Sequence, residues 1–238
     1  MTHARELFKS GKLDDAIEAL GVEVRDNPTD AQRRAFLFEL LSFAGNYDRA
    51  EKQLGVIGRG GRDAEMGALL YHSALHAERL RQDMFETQSF PTSTAQVVGG
   101  VLNGKPFTTI EDADPRIGAR LELFAAGQYS WMPFEHIATV RVEAPKRLRD
   151  LLWLPAIVRP GETFTGLEMG EVLLPVIAAQ SWQYEDGDVR LGRVTEWTKL
   201  DDGAHAPIGQ KLLLVDGEEF PMLELRELEI VRAPAALA

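Results

Sequence analysis

The chain has 238 residues, a formal net charge of −11, 45% hydrophobic and 26% charged residues, and no cysteine. The apolar fraction is too high for a disordered chain, the length suits one or two globular domains, and the missing cysteines exclude a disulfide scaffold or any thiolate metal site. The acidic balance argues against nucleic acid or an anionic membrane as main partner, because both require a positive face. Met1 to Glu6 lead into a charged helical pattern rather than an apolar signal core. No run approaches the roughly 20 apolar residues that span a bilayer. A soluble, cytoplasmic protein is expected.

The first half carries an internal repeat. Leu7, Gly11, Leu13, Ala16 and Leu20 recur 34 positions later as Leu41, Gly45, Tyr47, Ala50 and Leu54. That is the period of tetratricopeptide units, each a pair of antiparallel helices. The glycine ends the first helix of each pair, the alanine lets the two helices approach, and Leu13 or Tyr47 fills the space between them. Pro28 closes the first unit. The second has Arg62 at the equivalent position and is broken instead by Gly58-Arg59-Gly60-Gly61. Asp63 is then the expected N-cap of a third long helix, over roughly 63–85. Met66, Leu69, Leu70, Ala74, Ala77, Leu80 and Met84 give it an apolar stripe. Two repeats are few for a free solenoid, so the array is expected to lean on the second half.

Residues 88–109 are rich in Ser, Thr, Gly and Pro and read as a linker. Beyond them, short apolar runs separated by turn signals read as strands: 121–124, 129–134, 136–142, 171–177, 189–198, 210–215 and 220–228. Asp216-Gly217 marks a hairpin, and 145–153 is the helical exception. The expected fold class is α+β: tetratricopeptide-like helical repeats over 1–88, then a β-rich domain over 89–238, built on a small twisted sheet or partly open barrel.

Signals for chemistry are thin. His72 and His76 are four apart on the third helix, but the Glu of a zinc hydrolase motif is missing beside them. Glu111, Asp112 and Asp114 are too few and too closely spaced for a calcium loop. With His136 they define the alternative reading, an enzyme of unknown type. No Gly-x-Ser-x-Gly elbow is present, and the glycine-rich segment lacks the Lys of a phosphate loop. Lys146, Arg147 and Arg149, beside Asp150, read as a salt-bridged face rather than a nucleic-acid patch. No metal and no cofactor are expected.

The aromatic residues are more informative. Trp131, Trp153, Trp182 and Trp197 all fall in the second half. Most are expected in the core, with one or two lining a groove for a partner helix. If 189–198 is one strand, Arg193 and Trp197 share a face and Glu196 points the other way. Trp131, Arg193, Glu196 and Trp197 are therefore the candidate partner-binding residues.

Several stretches together resemble the ImpE/TagJ family of type VI secretion accessory proteins. They include Asn103-Gly104-Lys105-Pro106-Phe107, Gly127 to Phe134 and on through Ile137, Ala144 to Ala156, Val172-Leu173-Leu174-Pro175, Leu191 to Trp197, and Gly209-Gln210. Glu196 stands where relatives often carry an aspartate, and 176–181 lacks a tyrosine common among them. The resemblance implies a cytoplasmic adaptor rather than an enzyme. It implies binding to the N-terminal helix of the small sheath subunit, TssB, and a link to the ClpV disassembly ATPase. A purely structural scaffold that dimerises through its helices is the remaining alternative.

Overall fold

The structure is a computed structural model, which describes residues 3–162, 164 and 170–231. Five helices come first: α1 (His3–Lys9), α2 (Leu13–Asp26), α3 (Ala31–Phe43), α4 (Tyr47–Ile57) and α5 (Arg62–Glu86). Gly11 and Gly45 sit at the α1–α2 and α3–α4 turns with φ of +76° and +69°, a left-handed backbone that a side chain would strain. Asp30 caps α3 by accepting from Arg33 N at 2.9 Å. α5 begins instead after Gly61, which takes the N-cap place expected of Asp63 with no side-chain cap.

The second half is β-rich and larger than the small sheet expected. Eight antiparallel strands are ordered β2-β1-β13-β6-β7-β8-β4-β5. They are β1 (Gly99–Leu102), β2 (Lys105–Phe107), β4 (Arg120–Ala125), β5 (Gln128–Pro133), β6 (Ile137–Val142), β7 (Trp153–Pro160), β8 (Glu171–Pro175) and β13 (Glu227–Val231). Beside them, β3 (Ile110–Asp112), β11 (Leu212–Val215) and β12 (Glu218–Pro221) form a three-stranded sheet. A ribbon of β9 (Thr195–Lys199) and β10 (His205–Gly209) forms a third unit. The β11–β12 hairpin turns at Asp216 and Gly217, both at positive φ, as the dipeptide demands.

Strand alternation divides the interior into two cores. On β4, Leu121 and Leu123 point into one core with Val140, Leu154, Val172, Leu213 and Leu228, while Phe124 points to the other face, against the helices. On β7, Leu154 and Ala156 join the first core and Trp153 the second. The helical core therefore includes residues of both halves. Phe38 of α3, Tyr71 of α5 and Trp153 of β7 meet there with ring centroids 5.7–6.4 Å apart.

Three local expectations are corrected. The segment read as a linker contains β1 and β2. There Gly100 lies so close to the neighbouring strand that a Cβ would stand 2.0 Å from the Glu229 carbonyl oxygen, and Pro106 is tolerated because β2 is an edge strand. Residues 189–198 are not one strand, because Asp186 caps a short helix, α6 (Gly187–Arg190), and β9 starts only at Thr195. Residues 145–153 form only a 3-10 turn, Leu148–Leu151, before β7. Among the described residues no helix is long and apolar enough to cross a membrane.

Candidate functional site

The C-terminal half of α5 lies over the sheet on a buried ionic seam. Arg81 donates through Nε and Nη2 to the two oxygens of Glu122 on β4, at 2.8 and 3.2 Å, and through Nη1 to Glu78 at 3.2 Å. Trp153 Nε1 donates to the other Glu78 oxygen at 2.9 Å. Lys211 pairs with both Asp112 and Glu122 from the far side. Tyr129 donates to Glu122 and accepts from Trp131 Nε1 at 2.6 Å. Burial opposes the charge on Glu122, but Arg81 and Lys211 outweigh it and hold the carboxyl well below its usual range. Burial pushes Asp112 up to about 7 against the pull of Lys211. Burial and the Glu122 charge raise the Tyr129 phenol far above its usual range, so it stays a neutral donor. Glu78 and Arg81 also border a small cavity of about 20 Å³ beside Tyr47 and Trp182, but each charge of the seam has an opposite charge within reach, and buried charges persist only when paired in this way.

The acidic residues of the alternative reading are dispersed. Asp112 belongs to the seam, and Asp114 pairs with Arg116 at 2.6 Å. Glu111 sits half-buried on β3, and His136 closes the turn Phe134–His136, its carbonyl accepting from Gly161 N at 2.8 Å. None of the four lines the grooves described below. His72 faces Glu51 at 3.5 Å while His76 is exposed, and no group of metal-ligating side chains occurs among the described residues.

Of the three candidates expected on one strand, Glu196 and Trp197 lie on β9 and Arg193 does not, and Trp131 lies apart on β5. Trp131, half-buried on β5, is tied into the seam through Tyr129. Arg193 precedes β9 and holds the end of α1, donating to the Phe8 and Lys9 carbonyls at 2.7 and 3.1 Å and lying 4.9 Å over the Phe8 ring. Glu196 accepts from Tyr184 at 2.6 Å, and Trp197, next to it on β9 and so on the opposite face, is 41% exposed. Trp182 rests on Gly45 and donates to Gln82 Oε1 at 3.2 Å.

The sequence did not reveal a groove of about 790 Å³ where the helical cover of the sheet ends. Its floor includes Pro155 and Ile157 of β7, and Leu70 of α5 overhangs it. The α5 stripe fails at this end: Met66, Leu69 and Leu70 are 64%, 67% and 44% exposed, and Ile157 is 51% exposed. Register places Glu227, Arg141, Ile157 and Glu171 in one row across β13, β6, β7 and β8. At one end, Arg147 also lines a second hollow of about 710 Å³ beside α1 and α3. At the other, Leu70 and Glu171 also line a third, of about 330 Å³. Only the apolar letters of α5 hinted at this surface, since periodicity marks a face without saying what covers it.

Comparison with known proteins agrees with this architecture. The family described as ImpE protein matches residues 104–229. The type VI secretion system accessory component TagJ of Pseudomonas aeruginosa is 34% identical, the alignment covering 95% of this chain and 90% of that protein. The crystal structure of protein VPA1032 from Vibrio parahaemolyticus has the same fold, with a TM-score of 0.84, 24% identity, and coverage of 98% of this chain and 99% of that one. With more than half its length matched by the family and a relative of this similarity along nearly all of it, the chain belongs to the ImpE family.

Proposed function

We propose that this protein is a non-enzymatic, cytoplasmic accessory component of a type VI secretion system, acting as an adaptor. It binds the N-terminal helix of a TssB-like small sheath subunit and assists the sheath handling linked to a ClpV-like ATPase. Its two glycine-turned helical hairpins serve as tetratricopeptide-like repeats, joined near residue 88 to a β-rich ImpE domain. The observation that carries this reading is the 34% identity to TagJ over 95% of the chain. Two further observations support it. Apolar side chains are exposed together beside a long groove, which suits a protein ligand better than a small molecule. Asp112 and Asp114, two of the acidic residues that an enzyme would use, are engaged in ion pairs.

The test is a calorimetric titration of the full chain with a peptide of the sheath subunit's N-terminal segment and a scrambled control. Saturable binding of the native peptide alone is expected. No heat up to roughly 100 μM, where even a weak complex would register, removes the reading.

A further inference from the structure

We infer that the groove between α5 and the outer face of β6, β7 and β8 is the docking site for an amphipathic helix, lying with its C-terminal end at Arg147 and its N-terminal end at Glu171. This rests on the adaptor reading and adds to it the surface, the chemistry of the occupant and its direction.

The occupant binds through side chains. β6, β7 and β8 are each paired on both sides, so the groove offers no free strand edge for an extended peptide to extend. Ile157 and Leu70 offer instead an apolar floor and overhang, the complement of one face of a helix. The row from Glu227 to Glu171 crosses four strands, roughly 14 Å at the usual strand spacing, so the floor is wide enough for the girth of one helix, about 10–12 Å.

Charge sets the direction. Arg141 is paired with Glu227 at 3.0 Å, Lys146 is paired with Glu143, and Asp150 accepts from the backbone of Lys146 and Arg147. Arg147 at one end and Glu171 at the other have no ionic partner among the described residues, and Arg226, which also lines the groove, donates to the Leu223 and Leu225 carbonyls and lies beside Val142 at the Arg147 end. In a chain of net charge −11, cations without a carboxylate partner single that end out. A helix carries partial negative charge at its C-terminus and partial positive charge at its N-terminus. The favourable alignment therefore sets an acid-bearing C-terminal turn against Arg147 and a basic or uncharged N-terminal turn against Glu171.

The experiment titrates the sheath subunit's N-terminal peptide into the full chain and into I157D, L70D and R147E, with near-ultraviolet circular dichroism as the check on folding. Binding to the parent chain, with at least a tenfold loss in I157D and L70D, is expected. R147E should also lose affinity, and a peptide with lysines in place of the acids of its C-terminal turn should regain it. Because Arg147 is exposed, R147E keeps the test decisive if a floor variant fails to fold. Restoration by lysines placed at the peptide's N-terminal turn instead overturns the direction. Undiminished binding by all three folded variants, or loss only on W197A in the ribbon, overturns the location and leaves the adaptor reading standing. A concentration-dependent dimer in light scattering that L70D and I157D dissociate, with peptide affinity unaltered, assigns the groove to a second copy and overturns the inference. No binding by the parent chain overturns both readings.

Discussion

The two halves of α5 meet the same sheet in opposite ways. From Tyr71 to Phe85 the helix is pressed against β-strands, and what it brings inside includes charge: Glu78 and Arg81 are 6% and 2% exposed, facing Glu122 and Lys211. From Arg62 to Leu70 it stands away from the sheet, and what it leaves outside includes Met66, Leu69 and Leu70. A simple inside–outside rule would invert both. Buried charges persist because each has an opposite charge within reach, so they fix how helix and sheet are seated. Exposed apolar groups beside a groove have no such internal reason, which directs attention to a partner.

The sharpest way to break this contrast is R81A. It would leave Glu122 and Glu78 buried without their shared cation, and a loss of about 3–5 kcal/mol is expected by chemical denaturation. A loss below about 1 kcal/mol would mean that water already reaches the seam. Acid probes the same place. The folded Asp112 carboxyl, near 7 against an ordinary 3.8, binds its proton more readily in the folded chain. Its contribution to stability therefore rises as pH falls from about 7 towards 4 and is lost at higher pH. Glu122 has the opposite sign: held below its usual range, it contributes above about pH 4.5 and is lost as pH falls further. Urea denaturation should show greatest stability near pH 5, with a gain over pH 7.5 of up to about 3 kcal/mol that D112N abolishes. A profile unchanged in D112N would contradict this assignment.

G45A tests another contact between the halves. The new Cβ would stand 2.5 Å from the Trp182 ring at a φ of +69°, and a loss of about 2 kcal/mol is expected in the same assay. The smallest effect belongs to the exposed end of α5. L69S should change stability by no more than about 0.5 kcal/mol, because the side chain has little burial to lose. A large loss there would mean that the surface is covered in solution.

Much of this was legible from residues alone. Gly11 and Gly45, 34 positions apart, both form left-handed turns between helices, and the alternation around Ala126-Gly127 gave β4 and β5. Local signals failed where tertiary context decides. Gly99, Gly100 and Pro106 look like loop residues, yet the glycines make room for neighbouring backbone in a sheet. Val189 and Leu191 alternate like a strand, but the Asp186 cap starts a helix before them, which separates Arg193 from Trp197. The seam was the least visible feature, since Arg81, Glu122 and Lys211 are far apart in the chain and carry no motif. The α5 stripe is packed at one end and exposed at the other, a difference that helical spacing cannot show.

The segment that follows β8 has a directional consequence for the helical layer. Trp182 lies against Gly45, Arg193 grips the end of α1, and Arg190 reaches Asp14 at 2.6 Å. Both glycine turns are thus sealed along one margin. A visitor cannot approach the helices from that side, whereas the margin where Met66 and Leu69 stand is open.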